Sequence, residues 1–555
     1  MTGASRQPIT TLMRNIFLIV VFSPFLLFSQ DRPNLDSIFT VYASLRTTSE
    51  VLGPKPLKDH KCGLPSLAPL INFKSELKPE QRSFVQNITA RPVLDTSIVS
   101  PRKLFRIHYN KSGVQKPAYS VDSLAIALDS AYEFEITFLK YPPPPSDDNA
   151  GGDSLYDIYI VSFQYFYGET IPETKVSPFL EQYSSYIKID NDFSGFYTTG
   201  LAAAKVTAAH EFHHAIQMGN YILRYSDLFF HELVSTSMEE FVFPQVNDYI
   251  AYLPDYFENP ELSFSKYSGY ELAPFSLMLK ERFGYDIIKR QWELTIKDRA
   301  VKAIANSLIE VGSSAVEEFN NFGIWNYFTS YRAVSGKYYT DSRNFPLMLN
   351  SMKSEMAGNK VDISLRAHPL TNNSLMITNS QNGIKDTIVT IVTDYSLDKW
   401  GDSPDAYLDY SYGFYNFQAD GSSLLFGSYY DKFGKHPANS GKTTTIINNF
   451  VINRGDQPEN NDGDAYPSPF IYGKNREDVI YFPFKFLQNI TALFNLYNMS
   501  GDLIYSGEEP SWGVLRNLLK WRVQNNLGGK IASGVYIYII KADGQQKTGK
   551  ITIID

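Results

Sequence analysis

The sequence predicts an α+β domain followed by all-β, sandwich-like domains, and three observations carry that reading. Between about 103 and 352, strand-like alternation comes first and helical periodicity follows, the order of an α+β domain. Beyond about 355 the texture changes to short alternating runs split by Asn, Gly, Ser and Asp, the pattern of packed β-sheets. At 555 residues the chain is also too long for one core. Hydrophobic residues make up 43% and charged residues 20%, so most of it is expected to be globular. The net charge of −8 is spread out, with no basic stripe, which argues against nucleic-acid binding.

Taken in order, Arg6 and Arg14 precede the apolar run "IFLIVVFSPFLLFSQ", so residues 1–30 read as a secretory signal peptide. The run is short for a spanning helix and contains Pro24. No later stretch is apolar enough to span a bilayer, so the mature chain is expected without a transmembrane helix. Residues 31–102 are Pro/Lys-rich, with weak helical periodicity around "LDSIFTVYASLRT", and read as a pro-segment or N-terminal arm. They hold the single cysteine, Cys62, so no intramolecular disulfide can form.

From 103 to 352 "KLFRIHY", "YDIYIVSF" and "SYIKIDNDF" alternate as strands. "VDSLAIALDSAYEFEITFL" and "TTGLAAAKVTAAHEFHHAIQMGN" read as helices, the second ended by Gly219-Asn220. "SDLFFHELVSTSMEEFVF" suits another, capped by Ser226 or Asp227 and stopped by Pro244. Four further amphipathic segments follow, up to "AVEEFNNFGIWNYFTSY". Residues 353–455 form the first β-domain, 456–465 a polar linker and 466–555 a last β-rich unit.

The chemistry concentrates in "HEFHHAIQ", which carries three of the eight histidines. His210 and His214 are four apart, so on a helix they share a face about 5–6 Å apart. Both imidazoles can then reach one Zn²⁺ at roughly 2.0–2.1 Å. Glu211 projects beside the ion, where it can take a proton from the attacking water. His213 falls off that face and reads as structural or substrate-side. A catalytic zinc needs a third protein ligand and an open position. Glu232, on the next helix, is the preferred ligand, with Glu239 behind it as a hydrogen-bonding partner. His231, Glu239 or Glu240 as ligand, or a polar helix pair with no metal, are the rival readings. Tyr270 or Tyr267 is a candidate donor to the developing oxyanion. "SYIKIDNDF" is a candidate edge strand for pairing an extended substrate. Asp190, Asn191 and Asp192 could bind Ca²⁺ or form a solvated turn.

His210-Glu211-x-x-His214 followed by Glu232 resembles the gluzincin metallopeptidases. In the aminopeptidase-N clan the third ligand lies in W-x-x-E-G-x-A; Phe229 and Glu232 match, but Gly-x-Ala is replaced and the spacing is about one residue short. About 250 residues, from "FRIHY" through "GGDSLYDIYIV", "HEFHHAIQ" and "FGIWNYFTSYR", are similar to secreted bacterial metalloproteases bearing type IX sorting domains. The resemblance implies a zincin-like catalytic domain that hydrolyses peptide bonds in protein or peptide substrates.

"HKCGLPS" resembles the cysteine switch of matrix metalloproteinase pro-domains in its Cys-Gly-x-Pro core, departing at Lys61 and Ser66. That resemblance makes Cys62 a candidate latency ligand for the open zinc position. Tyr497-Asn498-x-x-Gly501, Trp521, Gly528 and "ASGVYIY" resemble the type A sorting domain of the type IX secretion system, except that Trp-Asp-Gly is Trp521-Arg522-Val523. This implies export by that machinery across an outer membrane, to the medium or the cell surface of a bacterium. The rival from another class is a surface adhesin or binding module built on an inactive protease-like domain.

Overall fold

The structure, a computed structural model, describes residues 33–47, 61–356, 360–381, 384–395, 410–418, 420–429, 433–439, 444–454, 465, 468–472, 478–484, 491–512, 518–542 and 544–555. The expected signal peptide over 1–30, and all but residue 465 of the expected linker, lie outside them. The elements below all belong to the unit Leu35–Asp555.

The weakly periodic N-terminal arm contains three helices: α1 (Leu35–Thr47), α2 (Leu64–Asn72) and α3 (Pro79–Ile88). They lie against a sheet built from β1 (Thr96–Val99), β2 (Phe105–Tyr109), β3 (Tyr156–Val161), β4 (Gly168–Lys175) and β5 (Tyr183–Asp190), in the order β1-β2-β3-β5-β4. β2, β3 and β5 are parallel, and β4 runs antiparallel to β5.

Successive strand residues point to opposite faces, and here both faces are covered. Ile107, Ile158, Ile160, Ile187 and Ile189 meet α4 (Val121–Tyr132) and α5 (Gly200–Asn220). Tyr159, Ile171 and Tyr186 meet Tyr42, Leu67, Leu70 and Val85 of the arm. The double covering corrects one expectation. The strand in "SYIKIDNDF" is interior, flanked by β3 and β4 and buried along its whole length. Two of its polar groups are met by the arm: Lys188 Nζ donates to the Ile88 carbonyl at 2.8 Å, and the Tyr186 hydroxyl lies 3.0 Å from the Thr89 and Ala90 carbonyls. The edge strands are β1 and β4.

Helices α6 (Leu228–Val242), α7 (Pro254–Glu258), α8 (Ala273–Phe283), α9 (Asp286–Thr295), α10 (Ala300–Glu310) and α11 (Ala315–Tyr327) complete this part. Asp227 precedes α6, but its carboxylate does not cap the helix. It accepts instead from Arg299 at 2.7 Å and from Arg224 at 2.9 Å.

α11 packs on the next sheet, ordered β11-β10-β9-β8-β6. Its strands are β6 (Met352–Met356), β8 (Thr371–Gln381), β9 (Ile384–Asp394), β10 (Tyr410–Phe417) and β11 (Ser423–Tyr429). A three-stranded sheet of β12 (Phe433–Asn439), β13 (Thr444–Arg454) and β7 (Lys360–Ala367) accompanies it. Ile363, Leu365, Leu375, Ile388 and Phe414 form the core of this sandwich-like unit.

The last unit orders β14 (Phe470–Ile471), β20 (Gln545–Ile554), β19 (Gly534–Ala542), β16 (Thr491–Asn498), β17 (Leu503–Trp512), β18 (Leu518–Arg522) and β15 (Val479–Pro483). β17 pairs with β16 along its length and with β18 only at its end, so it carries one layer into the next. Phe482, Phe494, Trp521 and Tyr538 fill the interior. Among the described residues no helix is long and apolar enough to cross a membrane.

Candidate metal centre

The site is built on α5, the helix whose alanines let it approach the sheet. Ala203, Ala204, Ala208 and Ala209 are all buried. Where β4 crosses it, Gly168 permits contact: a Cβ there would lie 2.7 Å from Thr207 Cγ2 and 2.8 Å from Glu211 Cγ. α6 packs alongside and brings Glu232 to the two histidines. The loop before α8 then crosses α6 at Gly269, which has φ +112°. A Cβ there would lie 2.2 Å from the Phe229 carbonyl and 2.7 Å from Glu232 Cβ.

His210 and His214 face each other with their Nε2 atoms 3.1 Å apart. Glu232 Oε2 lies 3.1 Å from His210 Nε2, and its Oε1 lies 3.3 Å from His214 Nε2. That second contact lacks hydrogen-bond geometry, so Glu232 Oε1 is buried without a hydrogen bond. Cys62 completes the group: one donor atom from each of Cys62, His210, His214 and Glu232 lies within 4.8 Å of the others.

The outer contacts fix how the rings present themselves. His210 Nδ1 is 2.8 Å from Glu239 Oε1. His214 Nδ1 is 2.8 Å from Gln217 Oε1 and 3.2 Å from the Ser235 hydroxyl. With each Nδ1 engaged, both Nε2 atoms are left for a shared ion, the arrangement a zinc site needs. Two imidazoles, a carboxylate and a thiol are also the donor types zinc takes. The residues therefore fit the ion, and the orphaned Glu232 oxygen is the atom that most lacks a partner without it.

Glu211 sits beside this group. The Thr170 hydroxyl on β4 lies 2.7 Å from Glu211 Oε2 and 2.8 Å from its carbonyl oxygen. Burial pushes the Glu211 carboxyl up. Burial works against charge on His210 as well, but hydrogen bonds to Glu232 and Glu239 outweigh it and lift its pKa to about 10. Burial would raise Glu232 too, yet the nearby His214 charge and the hydrogen bond and charge of His210 bring it down to about 2. The Cys62 thiol is pushed well up by burial, then by the charges of Glu211 and Glu232.

Residues 61–63 lie along the outer edge of β4. The Tyr167 amide donates to the Lys61 carbonyl at 2.9 Å, and the Gly63 amide to the Gly168 carbonyl at 3.0 Å. Cys62 bridges Gly168 in the parallel sense. Its amide donates to the Tyr270 hydroxyl at 3.1 Å. Lys61 reaches Glu239 at 2.6 Å and also pairs with Asp248.

Each sequence-level candidate now has a place. His210, His214, Glu232 and Cys62 converge; Glu211 flanks them; Glu239 holds His210; the Tyr270 hydroxyl touches the same segment. His231 is turned to Gln217 Oε1, 3.0 Å from its Nδ1. The Tyr267 hydroxyl is spent on the Asn259 carbonyl. His213 meets Glu135, away from the cluster. In the candidate Ca²⁺ turn, Asp190 accepts from the Phe163 and Phe193 amides at 2.6 Å, and the Asn191 amide group donates to two backbone carbonyls. The turn is thus mostly buried backbone bonding. Gln217 lies three residues past His214, a helical spacing that could have found it; no spacing rule ties Thr170, Gly168, Asp248 or Tyr167 to the motif. Lys61 adjoins Cys62 in sequence and was visible only as a departure from a pattern.

No family model and no curated protein matches this chain. Two solved structures show partial likeness. PorZ, a surface component of the type IX secretion system of Porphyromonas gingivalis, is 14% identical, with a TM-score of 0.14 over 30% of this chain and 29% of that one. Dimeric latent PorU from the same organism is 8% identical, with a TM-score of 0.13 over 34% and 32%. This chain thus spans about a third of either protein's length, and neither likeness assigns it a role.

Proposed function

We propose that this chain is a secreted bacterial zinc peptidase in a latent form, with zinc held by His210, His214 and Glu232 and with Cys62 in the remaining position. The observation that supports it is the convergence of those four donors from three separate segments around a buried point beside Glu211. A bound zinc ion would supply Lewis acidity and lower the pKa of its water toward about 7.

The chain's own groups do the rest. Glu211 takes a proton from the water as its oxygen bonds the carbonyl carbon and the carbonyl oxygen becomes an oxyanion; it then passes that proton to the amide nitrogen, the oxyanion re-forms the C=O bond, and the C–N bond breaks to release the amine. Thr170 orients the Glu211 carboxylate. The Tyr270 hydroxyl, released from the Cys62 amide, is positioned to donate to the developing oxyanion. The vacated edge of β4 offers backbone groups to an extended peptide. Residues 466–555 serve as the sorting unit for type IX export, which leaves the peptidase outside the cell or on its surface.

Metal analysis of the purified chain is the first test, with one zinc per chain expected. Cys62→Ala should raise the rate of the full chain. Added to Cys62→Ala, Glu211→Gln should retain the zinc and lose on the order of 10²–10⁴ of the peptidase rate. A chain free of zinc, or proteolysis equal in Cys62→Ala with and without Glu211→Gln, would sink the peptidase reading; activity unmoved by Cys62→Ala would sink the latency.

A further inference from the structure

The residue beside Cys62 marks a second feature of the site. Lys61 is buried, yet it belongs to the N-terminal arm, while its partners belong to the part after residue 103. Glu239 is on α6, and Asp248 lies in the short helical turn Asp248–Tyr252. Tyr167 donates to Asp248 Oδ1 at 3.0 Å and so orients it. The rings of Tyr167 and Tyr252 stand 5.4 and 4.9 Å from Lys61 Nζ. Two carboxylates and two aromatic faces therefore form a cation-binding pocket.

A buried carboxylate left without its cation is strongly destabilising. If residues 61–63 leave β4 to open the metal position, Glu239 and Asp248 lose the cation they hold. A peptide laid along the same edge, with one residue at the metal, would send its neighbouring side chain into that pocket. We infer that the Glu239–Asp248 pocket is a specificity subsite for a lysine side chain adjoining the scissile bond, and that Lys61 is its intramolecular occupant. This rests on the peptidase reading and adds its substrate class.

The test uses the full chain carrying Lys61→Ala with Cys62→Ala, which empties both positions, and Lys61→Met with Cys62→Ala in case the first does not fold. Matched peptides differ only in lysine or norleucine beside the scissile bond. Lysine peptides should be cleaved faster by roughly 10- to 100-fold, and adding Asp248→Asn should collapse that ratio. In the metal-free variants, n-butylammonium should raise the melting temperature above the effect of n-butanol. Cleavage indifferent to lysine overturns the subsite and leaves the peptidase standing. Stabilisation by n-butylammonium without any cleavage keeps the cation pocket and removes the peptidase. Neither stabilisation nor cleavage overturns the pocket.

Discussion

Helix α5 carries two buried histidine–carboxylate contacts, three residues apart, that differ in kind. His210 meets Glu232 and Glu239, and His214 joins it, so that two ring nitrogens, a carboxylate and a thiol face one point. His213 meets Glu135 alone, its Nδ1 2.9 Å from Oε2. Its Nε2 and the second Glu135 oxygen have no hydrogen bond, and the rings of Tyr141 and Trp292 stand around it. Burial drives this pair toward neutrality, with Glu135 held well above and His213 well below their ordinary values. Around His210 the extra carboxylates reverse that balance. Burial and a histidine–glutamate contact are thus common to both places. In both places a carboxylate takes Nδ1 and leaves Nε2 over. What separates them is what Nε2 meets: that of His210 faces His214, Glu232 and Cys62, whereas that of His213 has no hydrogen-bonding partner.

The strongest way to break the comparison is to remove a donor from each. His214→Ala should abolish one-to-one zinc retention through dialysis, while His213→Ala should leave it intact; equal loss in both would show that the helix as a whole, not the converging set, holds the ion. Glu239→Gln acts one step out. It keeps the His210 Nδ1 contact but removes a charge, and should weaken zinc by about 10- to 100-fold in a competition titration with a chelator.

How far the sequence foretold this depends on the kind of constraint. His210, Glu211 and His214 were legible because helical spacing is a local rule. Glu232 was legible because the following helix can fold back only within short reach. The five-stranded sheet was half legible: β2, β3 and β5 alternate visibly, whereas β4, "GETIPETK", contains Gly and Pro, which weaken a strand signal. That strand supplies Thr170 and the edge on which residues 61–63 lie, so the least strand-like sequence makes contacts at the centre of the candidate site. Lys61 has no periodic signature at all. Its meaning comes from Asp248, 187 residues away.

Gly269→Ala sharpens the role of backbone approach on the α6 side. The position combines φ +112° with a Cβ path blocked at 2.2 Å by the Phe229 carbonyl, which no rotamer can move. The loop bearing Tyr270 must shift off Glu232, at a cost of about 1–3 kcal/mol from the backbone conformation alone. A lowered melting temperature together with weakened zinc binding is expected, and unchanged zinc affinity would show that Glu232 is placed by α6 without help from the loop.

The smallest expected effect lies in the other histidine. His213→Ala leaves Glu135 with both oxygens unbonded in an apolar setting. Because burial favours the neutral form of that carboxyl, the loss expected is that of a neutral buried hydrogen bond, about 1–3 kcal/mol, rather than of an ion pair. Denaturant unfolding should report it as a shifted midpoint with an unchanged slope. Glu135→Gln retains a hydrogen-bonding group of the same length and should recover most of the stability, because a neutral amide replaces a neutral acid. A large loss in Glu135→Gln would mean that the pair is charged after all, and the contrast between the two halves of α5 would then rest on donor count alone.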